Sequence, residues 1–244
     1  MLDLVSAKKA GLDGVQIPIR LAGDDLDVAG TSIRAAYQEK KRLTGLPISS
    51  FSITCLCAHP LATDPRAPRW LQQAIDAARE LGARVILVPF FGPADLLTRD
   101  GKLKQAEVNE VVKRLKDAAP LAGDAGVVLA LESYIDAWEN LRILDRIGHA
   151  SVQVYYDVYN LGVTRGYDVP AEIRRLKGRI AEFHFKNGPQ FLGEGKLQFE
   201  PIADAIKEIG YRGWIVLETS SPTKDPIADA RRDGHFVRRL FKTA

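Results

Sequence analysis

Val127-Val-Leu-Ala-Leu-Glu132, Val152-Gln-Val-Tyr-Tyr-Asp157, Ile180-Ala-Glu-Phe-His184 and Trp214-Ile-Val-Leu-Glu218 are four short apolar runs. Each is closed by a residue able to hold a proton or a metal ion. Runs of this length, rich in branched aliphatic and aromatic residues, read as buried strands. The closing residues stand 25, 27 and 34 positions apart, and each interval has room for one loop and one helix. A repeat of strand, loop and helix builds a parallel sheet. Polar residues at the same end of four consecutive parallel strands are the mark of a (β/α) barrel, which keeps its chemistry at that end.

Working outward, the same alternation extends back to the start of the chain. Leu2, Val5, Ala7 and Ala10 give residues 3–10 a helical pattern, with Gly11 as its stop. Gly14-Val-Gln-Ile-Pro-Ile19 reads as a strand with Pro18 near its end. A helix over 32–44 follows, with Lys40-Lys-Arg42 on its solvated face, and then a strand over 48–57. Residues 69–81 form an amphipathic helix ending at Gly82, and Arg84-Val-Ile-Leu-Val-Pro-Phe90 is a near-continuous apolar strand. A helix over 104–122 carries Pro120 in its last turn, where a bend or early end is expected. Asp225-Pro226 opens a last helix whose Arg231, Arg232, Arg238 and Arg239 read as a solvated or helix-packing face.

This gives seven strands where a closed barrel wants eight, and the missing one is the first, because the chain opens with the helix that should follow it. The expected fold is therefore α/β: one domain over residues 1–244, a (β/α)8-type barrel lacking its first strand at the N-terminus. The gap should lie between 14–19 and 214–218, beside Glu218, and widen the substrate cleft. Two unpaired sheet edges are a poor state for a soluble protein. A dimer partner, or a natural start upstream of Met1, is expected to cover them.

Composition sets broad limits. With 46% hydrophobic and 27% charged residues, the chain is an ordinary globular protein. A net charge of +3 is too small to argue for a polyanionic partner, and no nucleic acid is expected. No apolar stretch approaches the roughly 20 residues of a membrane span, and Lys8 and Lys9 break any signal-peptide pattern. The expected location is the cytoplasm. Cys55 and Cys57, two apart in a strand-like run, should share a face as small buried hydrophobes.

Period-two alternation places Glu132 with Ala130 and Val128, Glu218 with Val216, and His184 with Glu182 and Ile180. If the closing residues point inward, three carboxylates and one imidazole converge at the barrel mouth. That oxygen-rich set suits Mn²⁺ or Mg²⁺, with Co²⁺ or Zn²⁺ as further options. Three negative charges exceed those of one divalent ion, and the surplus suits carboxylates that also shuttle protons. Glu182, one step below His184, is expected to be paired, since an unpaired buried carboxylate is costly. His59-Pro60 lies just past a strand on the same face and is a candidate substrate contact.

At this point the chain resembles the xylose-isomerase-like TIM barrels, in the branch of sugar phosphate isomerases and ketose 3-epimerases. Leu131-Glu-Ser133, Tyr155-Tyr-Asp-Val-Tyr-Asn160, Phe183-His-Phe-Lys-Asn187, Leu192-Gly-Glu-Gly-Lys196 and Leu217-Glu-Thr219 carry the resemblance. It implies that Glu132, Asp157, His184 and Glu218 bind one divalent metal, and that Glu132 and Glu218 exchange protons with a substrate carbon. It further implies that Lys186 and Asn187 contact substrate and that the glycines at 193 and 195 belong to a loop closing near the site. Many such epimerases carry a substrate-contacting histidine where this chain has Asn160. That departure bears on a simple ketose 3-epimerase assignment, and Asn160 becomes a candidate contact in its own right.

The implied activity is a metal-dependent isomerase or epimerase of a ketose, keto-sugar or sugar phosphate, working through an ene-diolate. The partner is a small sugar, and a homo-oligomer is compatible with the open edge. The same residues could run elimination on a keto-sugar as a lyase or dehydratase, or serve a non-catalytic sugar-binding subunit. A DNA-cleaving, endonuclease IV-like role needs three metals and many more histidines than the four present.

Overall fold

Seven parallel strands pair in the order in which the chain supplies them: β1 (Val15–Ile19), β2 (Ile48–Ile53), β3 (Val85–Pro89), β4 (Val128–Glu132), β5 (Val152–Asp157), β6 (Ile180–Phe185) and β7 (Ile215–Leu217). The computed structural model describes residues 3–242. The helical role expected for Leu2, and any start upstream of Met1, lie outside the described residues. Helices α1 (Leu4–Ala10), α2 (Thr31–Thr44), α3 (Ala67–Leu81), α4 (Gln105–Asp124), α5 (Ala137–Ile147), α6 (Val169–Leu176), α7 (Phe199–Glu208) and α8 (Pro226–Phe241) alternate with the strands. A short antiparallel ribbon, Leu21–Ala22 with Asp25–Leu26, follows β1. No described helix is long and apolar enough to cross a membrane.

The core has two parts, because the strands from β1 to β6 bury both faces. Outward residues such as Phe51, Ile86, Leu129 and Phe183 meet the helices in the larger part. Inward residues Val85, Leu87, Ala130 and Tyr155 form a small one inside the barrel, with Val128, Ala181 and Val216 against it. Each fully buried Leu- or Phe-sized side chain contributes about 1.5–3 kcal/mol.

The expected gap is present. β1 pairs only with β2 and β7 only with β6, and no other described strand lies between β1 and β7. Trp214 lies across its base, where Gly14 makes room: a Cβ there would sit 2.9 Å from the indole ring. Beside it is a cavity of about 350 Å³ whose lining includes Leu12, Val15, Gln16, Val216 and Val237. Helices α1 and α8 brace its outer side, with Arg231 donating to the Lys9 carbonyl (2.7 Å) and Arg238 to that of Gly11 (2.6 Å). These two arginines therefore pack against another helix's C-terminal end, where cations are favoured. Pro18 is tolerated because β1 is an edge strand and needs no ladder bond on its open side.

Three details differ from the sequence reading. The strand expected over 48–57 stops at Ile53, and Thr54–Cys57 is a 3-10 turn. The Thr54 hydroxyl donates to the Ile19 carbonyl (3.0 Å), a side-chain bond that competes with continued pairing. Cys55 and Cys57 are therefore half-buried free thiols on a turn rather than neighbours on one strand face. Helix α4 also runs through Pro120 to Asp124, because the adjoining Ala119 and Ala122 are fully buried and hold its last turns on the core. Finally, a register shift in β6 puts Ala181 with the barrel interior and Ile180 with the outer core, so Ile180 does not share the face of His184.

Candidate metal centre

The four closing residues meet at one end of the sheet. Glu132 ends β4, Asp157 ends β5, His184 is next to last in β6, and Glu218 follows β7, its N–H donating to the Phe185 carbonyl (3.1 Å). One ligand atom from each lies within 4.8 Å of all the others. His184 Nδ1 lies 2.9 Å from Glu132 Oε1, 3.6 Å from Glu218 Oε2 and 3.9 Å from Asp157 Oδ2. Ligands about 2.1 Å from one small cation stand roughly 3–3.5 Å apart, so these spacings fit a shared ion. Glu132, Asp157 and His184 are buried, whereas the Glu218 side chain is 42% exposed at the lip.

Local backbone geometry aims the ligands. Asp157 Oδ1 accepts the N–H groups of Tyr159 and Asn160, both at 2.8 Å, which turns Oδ2 to the cluster. Asn160 opens a π-helical turn to Thr164, a distortion frequent at functional sites. Lys186 Nζ donates to Glu218 Oε2 (2.8 Å) and lies 2.9 Å from Asp157 Oδ2, but off hydrogen-bond geometry. That buried oxygen has no hydrogen-bond partner.

The electrostatics call for positive charge. Burial raises the Glu132 and Asp157 carboxyls above their ordinary range. Burial opposes the His184 imidazolium, but the Glu132, Glu218 and Asp157 carboxylates overcome it and raise its pKa. Burial also pushes Glu218 up, yet the charges of His184 and Lys186 outweigh it and hold this group low. Three carboxylates, one of them with an unsatisfied buried oxygen, and one imidazole fit a divalent cation, which Glu132, Asp157, His184 and Glu218 could hold.

Of the other expected contacts, Lys186 joins the cluster and Asn160 adjoins it through its backbone. Asn187 is buried, its amide donating to the Phe191 carbonyl (2.8 Å). The loop packs so closely on it that a Cβ on Gly195 would lie 2.4 Å from Asn187 Oδ1. Gly195→Ala is thus expected to cost about 1–3 kcal/mol and to open the loop to protease. An unchanged melting curve and digestion pattern would show that the loop shifts freely. His59 stands outside the cluster, with Nδ1 3.3 Å from Asp64 Oδ2 and from Arg66 Nη2 and its ring against Trp70.

Below the ligands, beside Glu182, lies a polar layer that the sequence reading passed over: Gln16, Ser50 and Tyr155. Its one signal was a polar side chain in mid-strand, where both faces are covered. Glu182 is buried and neither of its oxygens has a partner at hydrogen-bond geometry, contrary to the expected pairing. Burial pushes its pKa up to about 7, with the Ser50 and Tyr155 hydroxyls and His184 pulling partly back. The folded state thus holds a proton that the unfolded chain releases from about pH 4.5. Stability from this group is full below that pH and lost as pH rises to about 7. Relative to the wild type, metal-free Glu182→Gln should gain about 3 kcal/mol between pH 4.5 and 8. Parallel stability curves for the two proteins would refute this.

Comparison with known proteins agrees with the fold. Residues 4–240 match the family model described as xylose isomerase-like TIM barrel. L-ribulose-5-phosphate 3-epimerase UlaE of Escherichia coli is 29% identical over 273 residues, covering 98% of this chain and 88% of that protein. The structure of an L-ribulose 3-epimerase superposes with a TM-score of 0.80 at 21% identity, over 97% of this chain and 86% of the other. A xylose isomerase-like TIM barrel protein from Mycobacterium smegmatis, solved in complex with magnesium, gives 0.76 at 19% identity, over 97% and 86%. The chain belongs to the xylose isomerase-like TIM barrel family.

Proposed function

We propose that the protein is a divalent-metal-dependent epimerase or isomerase that moves a proton next to the carbonyl of a ketose, keto-sugar or sugar phosphate. The observation that carries this reading is the convergence of Glu132, Asp157, His184 and Glu218 at the C-terminal mouth of the barrel. The sugar class is supported by the relatives named as epimerases of L-ribulose and its 5-phosphate. The oxygen-rich ligand set favours Mn²⁺ or Mg²⁺ over Co²⁺ or Zn²⁺, and the magnesium complex of the mycobacterial relative supports the same choice.

When bound, such an ion supplies Lewis-acid polarisation of a carbonyl and of the C–H beside it. Glu132, ending β4, and Glu218, just past β7, are the proton-transfer groups: one carboxylate removes the proton and the other returns one. Return to the same carbon from the opposite face epimerises it, and return to the neighbouring carbon isomerises the sugar. The Lys186 ammonium, 2.8 Å from Glu218, faces the place where negative charge develops and is the nearest substrate contact in this reading. Asn160 adjoins it. Asn187 and His59 reach substrate only if their loops move, because their side chains are engaged elsewhere.

The test is a panel of ketoses, keto-sugars and their phosphates incubated with metal-loaded protein in D₂O. The expected result is deuterium at the carbon beside the carbonyl, read by NMR. Binding without exchange would point to a sugar-binding subunit, and loss of water from the sugar to a lyase. The reading includes a cytoplasmic protein with a small-molecule partner and no nucleic acid or membrane partner. It also includes a homo-oligomer covering the gap between β1 and β7, which light scattering checks.

A further inference from the structure

We infer that Gln16 is a positioning residue for the metal centre, setting the ring orientation and tautomer of His184 from the open edge of the barrel. This rests on the metal-centre reading above and adds a side chain from a strand that carries none of the ligands. Gln16 is 3% exposed and lies where the pairing of β1 with β2 shifts from Val15–Ile48 to Gln16–Ser50. The extra residue is Ser49 of β2, and the bulge turns Ser50 inward beside Gln16, which faces the barrel interior by the ordinary alternation of β1.

The amide is held at every polar atom. Its Nε2 donates to Ser50 Oγ (3.1 Å) and to the Tyr155 hydroxyl (2.9 Å). Its Oε1 therefore faces His184 Nε2, at 3.1 Å. A carbonyl oxygen can only accept, so Nε2 carries the ring's proton. A neutral ring then presents its Nδ1 lone pair to the ligand side, where Glu132, Glu218 and Asp157 stand. Tyr155 also packs on the imidazole face, with centroids 4.4 Å apart, so one side chain holds both the amide and the ring. The opposite amide orientation would strip Nε2 of its proton and point an Nδ1–H at the cation's place. Partners of this kind on a ligating histidine are typically worth about 10- to 100-fold in metal affinity.

The experiment uses the full chain with histidine-selective ¹⁵N labelling. There are four histidines, and the spectrum of His184→Gln assigns the ring of interest. In zinc-loaded wild type, His184 should show a protonated, slowly exchanging Nε2 and a metal-shifted Nδ1. In Gln16→Leu the Nε2 proton should exchange quickly, and calorimetry should show affinity for Zn²⁺ or Mn²⁺ about 10- to 100-fold weaker. Gln16→Glu, which keeps an acceptor oxygen at the same reach, should restore both. Gln16→Asn, which withdraws the acceptor by one methylene, should weaken binding as Gln16→Leu does and serves if Gln16→Leu does not fold. Wild-type affinity in Gln16→Leu or Gln16→Asn, or an Nδ1–H tautomer of His184 in the wild type, overturns the inference alone. Failure of the wild type to take up any divalent metal overturns the metal-centre reading and this inference with it.

Discussion

Glu132→Gln and Glu218→Gln are each expected to slow carbon–proton exchange about 10²–10⁴-fold, the usual worth of a general acid–base group, while substrate binding is largely kept. The substitutions preserve volume and one ligating oxygen, so saturating metal can separate a lost proton carrier from a lost ligand. The two sites differ in surroundings. Glu132 is buried against His184 and shielded from water. Glu218 sits at the exposed lip, held low by His184 and Lys186, where it can trade protons with water between turnovers. The residual exchange in Glu218→Gln is therefore expected at the Glu132 face alone, with net epimerisation abolished. Near-normal turnover in either variant at saturating metal would put the proton shuttle elsewhere.

How far this site could be read from the sequence depends on which physical rule sets each residue. Glu132, Asp157, His184 and Glu218 are legible because a parallel strand must be apolar along its length and only its end meets the site. A polar residue after four or five apolar ones is thus a positional signal. The gap was legible from chain order, since α1 precedes β1 and every later strand has a helix after it. Gln16 was not, because a polar residue between Val15 and Ile17 carries no mark of its partners, and Ser50, Tyr155 and His184 lie 34, 139 and 168 residues away. A one-residue bulge at Ala181 defeated the alternation drawn through Ile180. Asn187 and His59 lie on loops, where contacts with Phe191 and Arg66, four and seven residues along the chain, decide which way a side chain turns. Loops have no fixed period from which such directions can be read.

Lys186→Met should lower the melting temperature of metal-free protein by roughly 5–10 °C and leave metal-loaded protein close to wild type. The lysine is the cation nearest two carboxylates, 2.8 Å from Glu218 and 2.9 Å from Asp157, and the Asp157 side chain is only 1% exposed. Removing one partner of a buried ion pair costs about 3–5 kcal/mol, since the other charge stays desolvated. Lys186 is 21% exposed and Glu218 more so, which reduces the expected loss to about 2–3 kcal/mol. At roughly 2–4 °C per kcal/mol for a chain of this size, that is the stated shift. A divalent cation returns two positive charges to the same oxygens and adds about 2.7 kcal/mol at a hundredfold excess over Kd. The variant, lacking a competing charge, should also bind that cation more tightly. Thermal unfolding with chelator and with excess Mn²⁺ or Mg²⁺ makes the comparison. An equal loss in both conditions would show that Lys186 acts through the packing of its methylene stem rather than by balancing the carboxylates.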